Sequence, residues 1–383
     1  MMTKNILITL PNTRQGQGIC NAFLQEDDDS FKLFGTVSSS SSSSSSTHES
    51  IMLKQKGITP IKCEIGNPES FENALKESQA SVVVLITGDE FGPRNNISNN
   101  KLTTTLAKKS QEDCEFENAK ILIDTCTEHQ DQIDHLFFIS LFACDEVPDS
   151  LTSYKAKHHI ERYLWQQMSV NMGCFHYDII RSGVLFEIMD GGRPMNSLSR
   201  PGKLMSAFAP KVKIPYVSSL DVGKAVIAML NDPDTWGSGQ ILHAVSSIAS
   251  GRDCAMALST VSGGETCKYQ QVPTMFLWLA GFGAFAKYFN QFASTHASKR
   301  QKEWHKEFLE VVPDTVTLRT FFSGIGQWSN GTNKFGTPPP TGADSGLQKL
   351  VRPFQTLKIA DEGAEPQVND VGVPTDYAVI RTP

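Results

Sequence analysis

The sequence predicts an α/β fold: a doubly wound parallel sheet with a smaller C-terminal substrate lobe and a disordered tail. Three observations carry that expectation. Residues 5–10 form an apolar strand pattern, residues 11–18 a tight turn, and an apolar helical run continues to Leu24. Residues 82–87 are Val-Val-Val-Leu-Ile-Thr, a β-branched run of the kind buried on both faces of a parallel sheet. Between and beyond these, strand patterns alternate with helical ones of crossover length, which is the signature of parallel β-α-β units.

Each element follows in order. The first strand and helix place a helix N-terminus, with its unpaired N–H groups, beside a tight turn, which suits a phosphate. Gly16 stands where the last of the three glycines of such turns falls; the earlier positions are Leu10 and Thr13, or Leu10 and Asn12 in another register. Phe31–Val37 is a second strand. The nine serines at 38–46 have no side chains to bury and are expected to form a mobile loop, at the strand end where a ribose would be read. Residues 57–70 give a third strand and a capped helix, and 89–109 a polar exposed loop. A helix over 115–129 leads into a strand over 136–140, then a helix over 154–167 and a strand over 177–181. The Gly- and Pro-rich stretch 183–215 reads as irregular, 221–231 as a helix capped by Asp221 or Ser219, 241–244 as a strand and 253–262 as a helix. Residues 275–286 form an apolar run too short to span a bilayer, expected as one buried or pocket-wall helix. From 331 onward Gly, Pro, Thr, Asp and Glu dominate, as in an extended or disordered tail.

Composition narrows the function classes. At 383 residues the chain can bury one large core or two. A net charge of -6 leaves no bulk basic surface for nucleic acid or anionic membrane. The eight cysteines include no C-x-x-C pair and no paired His/Cys spacing, so neither a metal site nor a disulfide framework is expected. Their strand and helix positions suit reduced thiols in the cytoplasm. The first strand is expected within about five residues of Met1, leaving no cleavable leader ahead of it. The glycosylation-type triplets at Asn96 and Asn330 read as chance.

Ser140 ends the fifth strand, and Tyr154 and Lys157 open the next helix. A hydride acceptor needs a proton donor at its carbonyl oxygen, and an ammonium beside a tyrosine lowers that hydroxyl's pKa. Ser140, Tyr154 and Lys157 are therefore candidate catalytic residues. The alternative is a surface Tyr and Lys on an amphipathic helix with Ser153 as N-cap. His158 and His159 read as solvated or capping, Arg181 as an anion contact or a partner for a carboxylate. Phe186, Phe276, Trp278, Phe282 and Phe285 read as core, with an aromatic pocket as the alternative.

The ordered set Ile139-Ser140, Lys157-x-x-x-Glu161-x-x-Leu164, residues 177–183, residues 214–223 and residues 268–273 resembles the NmrA-like family of atypical short-chain dehydrogenases and their isoflavone-reductase-like relatives. The resemblance covers roughly residues 5–330. It implies a Rossmann-like nucleotide-binding part, about 1–183 and 214–245, with a substrate lobe over about 184–213 and 246–330. It implies NADP or NAD as cofactor, held by Asn12, Thr13, Arg14, Gln15, Gly16, Ser38, Thr87 and Lys157. The implied activity is reduction of a small hydrophobic or aromatic substrate, with Lys157 as the catalytic lysine and no essential tyrosine on its helix. The other implied role is a dinucleotide-binding redox sensor that regulates a partner protein without turnover. Leu10 in place of a glycine, Ser38 in place of a basic residue and Leu141 in place of a second serine depart from the family pattern.

Overall fold

The computed structural model describes residues 3–26, 30–38, 44–88, 111–148, 151–170, 175–190, 196–200, 203–236, 239–261, 266–279, 283–292 and 297–325. The expected 89–109 loop, Phe282, the triplets at Asn96 and Asn330 and the 331–383 tail lie outside them.

The first half alternates strand and helix: β1 (Lys4–Ile8), α1 (Arg14–Gln25), β2 (Phe31–Val37), α2 (Ser44–Gln55), β3 (Thr59–Lys62), α3 (Pro68–Ser78), β4 (Val82–Leu85), α4 (Gln111–Glu128), β5 (His135–Leu141), α5 (Thr152–Val170) and β6 (His176–Ser182). Then come β7 (Val184–Leu185), a 3-10 helix (Phe186–Asp190), β8 (Asn196–Arg200), β9 (Lys203–Ser206), β10 (Lys213–Val217), α6 (Ser219–Asn231) and β11 (Gln240–Ala244). The chain closes with β12 (Ser247–Ser250), α7 (Gly251–Val261), β13 (Lys268–Gln271), α8 (Thr274–Leu279), α9 (Gly283–Phe292), α10 (Ala297–Val311) and α11 (Leu318–Thr320).

Among the described residues, seven strands form one parallel sheet in the order β11-β6-β5-β4-β1-β2-β3. The order reverses between β1 and β4, and the crevice outside the strand ends at such a reversal is where open α/β sheets bind ligands. Alternate residues serve opposite faces. Ile6, Ile8, Val82, Val84 and Phe137 pack towards α1 and α6, whereas Leu7, Val83, Leu85, Leu136 and Phe138 pack towards α3, α4 and α5. Within the sheet, the fully buried Asp178 of β6 binds His135 of β5 at 2.9 Å and accepts the Gln240 N–H of β11 at 2.9 Å. One carboxylate thereby ties three neighbouring strands.

Several local expectations change. Helix α2 begins at Ser44, so the last serines of the tract are helical and not loop. The stretch 183–215 holds β7, β8, β9 and the start of β10; β7 and β10 join β12 in one small sheet, and β8 and β9 join β13 in another. Helix α6 is capped by Ser218, whose hydroxyl accepts the Leu220 N–H, instead of by Ser219 or Asp221. The 275–286 run is split between α8 and α9. Phe285 and Phe289 of α9 enter an aromatic core with Phe142, Tyr154 and Phe208, while Trp278 of α8 is exposed.

Asp221, fully buried in the first turn of α6, accepts the Val316 N–H at 2.8 Å and so fastens the C-terminal segment to this helix. Burial pushes its carboxyl up to about 6, above the value of about 3.9 in an unfolded chain. A carboxyl whose folded pKa is raised stabilises the fold when protonated, and that contribution is lost as pH rises from about 4 through about 6. Asp221→Asn keeps an acceptor for Val316 and removes the titration. Urea unfolding should show the variant's stability nearly flat over this interval while the wild type loses on the order of 2 kcal/mol; equal pH slopes would contradict it.

Candidate active site

The first turn is built by its own side chains. Leu10, where a glycine was expected, takes a left-handed backbone conformation (φ 49°), which costs a non-glycine residue roughly 1–2 kcal/mol. Hydrogen bonds hold it there. Its N–H donates to Thr36 Oγ1 at 3.2 Å, and its carbonyl accepts from the Thr13 N–H at 3.1 Å and the Thr13 hydroxyl at 2.9 Å. Thr13 then caps α1 by accepting the Gly16 N–H at 3.1 Å. Gly16 lies so close beneath the turn that a Cβ there would sit 2.3 Å from the Leu10 carbonyl oxygen. The loop therefore keeps a glycine turn's shape with one glycine.

Gln15, also at the start of α1, is 4 % exposed, and no described residue accepts from its Nε2. A buried donor without an acceptor is costly, and at a helix N-terminus beside the sheet's reversal it suits a diphosphate oxygen. The residues present thus fit a dinucleotide. A cavity of about 220 Å³ opens beside the turn between α1 and α2, with Asn12, Gln17, His48 and Lys56 in its lining.

At the ends of β4 and β5 stands Lys157, a residue only 5 % exposed. It donates to Thr87 Oγ1 at 2.8 Å, pairs with Glu115 at 3.1 Å and reaches the Ile139 carbonyl at 3.5 Å. The Thr87 hydroxyl in turn donates to the same Glu115 oxygen at 2.8 Å. The result is a closed ring of ammonium, hydroxyl and carboxylate, with the ring of Phe138 5.4 Å from the ammonium.

One turn along α5, Glu161 receives both Nε (3.0 Å) and Nη2 (2.7 Å) of Arg181, whose Nη1 pairs with Asp145 at 3.0 Å. Burial opposes the Arg181 charge, but the Glu161 carboxylate outweighs it and holds the guanidinium's pKa up. The Cys144 thiol donates to Glu161 at 3.2 Å, and burial, reinforced by that carboxylate, pushes its pKa up. Cys144, His158 and Glu161 offer ligand atoms within 4.8 Å of one another, which is metal-binding reach. Arg181 nevertheless engages both Glu161 oxygens, and a guanidinium in that position repels a dication. The cluster is a charge network that fixes α5 to the sheet.

Of the residues singled out from sequence, the structure joins Thr87 and Lys157 directly. Thr13, Gln15 and Gly16 together make the first turn, Asn12 borders it through the cavity, Arg14 opens α1, and Ser38 is exposed at the end of β2. Ser140 is turned to Cys144 at 3.6 Å. Tyr154 is not on the surface: its ring is 2 % exposed and packs on Phe142, Phe285 and Phe289. Helix α5 starts at Thr152, so Ser153 lies inside its first turn. Phe186 is core, between Tyr216 and Phe321. His158 is only half-buried as a residue, yet its Nδ1 is enclosed and meets no partner among the described residues. Glu115 was not singled out. It belongs to no motif, and only the fold brings it to Lys157.

Fold and turn define a Rossmann-like protein with a crevice at the reversal of its sheet. The model of the NmrA-like family matches residues 2–308, and the chain belongs to that family. It is similar to NmrA, a negative transcriptional regulator solved in complex with NAD, with 14% identity, a TM-score of 0.60 and 85% of this chain and 96% of that one covered. It is also similar to Citrobacter sp. triphenylmethane reductase complexed with NADP(H) (14% identity, TM-score 0.56, covering 82% and 98%). A third likeness is to NADPH-dependent quinone oxidoreductase QOR2 from Escherichia coli, complexed with NADPH (16% identity, TM-score 0.55, covering 83% and 98%). No curated protein matches the chain. No helix among the described residues is long and apolar enough to cross a membrane.

Breaking the buried pair by Glu161→Ala should cost about 3 kcal/mol in chemical unfolding, because Arg181 would keep its charge and lose its bidentate partner. A loss below about 1 kcal/mol, the size of an exposed pair, would show that the network does not anchor α5.

Proposed function

We propose that this protein binds NAD(P)(H) in the crevice at the β1–β4 reversal and reduces a small hydrophobic or aromatic compound. The observation that carries the reading is the buried Lys157 ammonium, fixed between the ends of β4 and β5. In the fold, that position lies beside the first turn, so a diphosphate held by the turn would extend its second ribose towards the lysine. Gln15, the start of α1 and Thr13 would hold and align the diphosphate. Lys56, in the lining of the cavity next to Asn12, would offer positive charge to a 2′-phosphate and His48 a ring N–H, which favours NADP over NAD. When bound, the reduced cofactor supplies a hydride. Lys157 would supply the matching proton to the substrate oxygen and bind the ribose hydroxyls. The substrate class follows the two reductases among its structural likenesses, whose names give triphenylmethane compounds and quinones as what they reduce. The two lobes set out from the sequence, with the second over about 184–213 and 246–330, would close over the substrate.

A second reading has an observation in its favour. Tyr154 lies in the aromatic core, and the ammonium of Lys157 is engaged by Thr87, Glu115 and the Ile139 carbonyl, so the site is also compatible with a dinucleotide sensor that regulates a partner without turnover.

The test is a quinone and aromatic-carbonyl panel with NADPH and NADH, combined with nucleotide fluorescence titration. Lys157→Ala should lower kcat by about two to four orders of magnitude, the span of a lost acid catalyst, while Tyr154→Phe leaves it within a few-fold. Nucleotide binding without turnover on any panel member would select the sensor. Loss of turnover in Tyr154→Phe equal to that in Lys157→Ala would contradict the lysine assignment.

A further inference from the structure

We infer that Glu115 is a specificity-determining residue that competes with bound nucleotide for Lys157, so that the nicotinamide half of a dinucleotide engages only by displacing it. This rests on the dinucleotide reading above.

An ammonium has three N–H bonds, and Lys157 has three acceptors around it: Thr87 Oγ1, Glu115 Oε1 and the Ile139 carbonyl. A ribose hydroxyl or a substrate oxygen can bind only where one of these yields. Two are fixed by the sheet. The Ile139 carbonyl is backbone within β5, and Thr87 stands two residues past the end of β4. Glu115 is a longer, rotatable side chain on α4, and at 13 % side-chain exposure it is the wetter member of the pair, against 6 % for Lys157. Its carboxylate lies over Gly88, where a Cβ would stand 2.9 Å from Oε1, so the end of β4 leaves it a seat. The Thr87 hydroxyl proton is committed to that same oxygen, which locks the ring in its present sense. A neutral hydroxyl entering from a ligand competes against a charge-assisted contact, the stronger kind. The competent state is then the fraction of molecules in which Glu115 has let go, and apparent affinity falls in proportion to that fraction.

The experiment compares nucleotide titrations of the wild type with Glu115→Gln, Glu115→Asp and Glu117→Gln, using NADPH, NADH and ADP. Glu115→Gln is nearly isosteric and removes the charge; Glu115→Asp keeps the charge and shortens the reach. Both should bind the dinucleotides more tightly, by on the order of tenfold if the pair is closed about nine-tenths of the time. ADP, which carries the diphosphate but no second ribose, should bind all four proteins alike. Glu117→Gln removes an equal charge from the exposed face of the same helix and should leave every affinity unchanged. Adding Lys157→Met to Glu115→Gln should erase the gain. Dinucleotide affinity that is equal or weaker in both Glu115 variants overturns the inference and leaves the dinucleotide reading standing. A matching gain in Glu117→Gln, or with ADP, also overturns it, since bulk charge would then be the cause. Absence of binding of any of the three nucleotides to every protein overturns the dinucleotide reading, and this inference with it.

Discussion

The Lys157 ammonium is the point at which four separate parts of the chain meet: Thr87 just past β4, the second turn of α4, the end of β5 and helix α5 itself. A lysine buried to this degree must have its charge matched by an anion and its protons by acceptors. Glu115 meets the first need; Thr87 and the Ile139 carbonyl share the second. One turn further along α5 the same requirement is met in reverse, by a carboxylate, Glu161, facing the guanidinium of Arg181. Helix α5 is thus registered on the sheet by two buried charges of opposite sign, and the placement of Lys157 at the strand ends follows from that register.

Much of this was readable from the sequence, and the reasons differ by element. The runs at 5–10, 31–37 and 82–87 are continuous apolar strands between turn residues, and each gives a strand of the parallel sheet. Asn67 before Pro68 marks a helix start because an Asn accepts one of the free N–H groups of the first turn, here that of Ser70, and a proline has none to satisfy, and α3 begins there. By contrast, Ser218, Ser219 and Asp221 are all good caps, so composition does not choose among them. Packing does: the Glu187 carboxylate accepts from the Ser218 hydroxyl and from the N–H and hydroxyl of Ser219, which leaves Ser218 outside the helix. The strands within 183–215 are two to five residues long, too short for a period to show in a stretch rich in glycine and proline.

The site was readable only in part for a related reason. Lys157 and Thr87 sit at the ends of regular elements, where period and order point to them. Glu115 sits inside an ordinary polar helix, and nothing in its neighbourhood distinguishes it from Glu117. What distinguishes it is the crossover that lays α4 beside α5, a long-range property. Leu10 gives the opposite lesson. As a letter it looks like the loss of a glycine turn. In the fold it adopts the left-handed conformation a glycine would take, held by Thr36 and Thr13, and the turn survives. A motif defined by residue type missed a shape that hydrogen bonds can also impose.

The crevice thus combines a turn that retains its form without its usual residues with a lysine whose partners are already in place. Both matter only if a dinucleotide occupies the crevice. Native mass spectrometry of the full-length protein, before and after addition of NADPH, measures this most directly. The account predicts a mass increment of one dinucleotide per chain, present on isolation or acquired on addition. A chain that stays at its bare mass with NADPH, NADP⁺, NADH and NAD⁺ alike would contradict it.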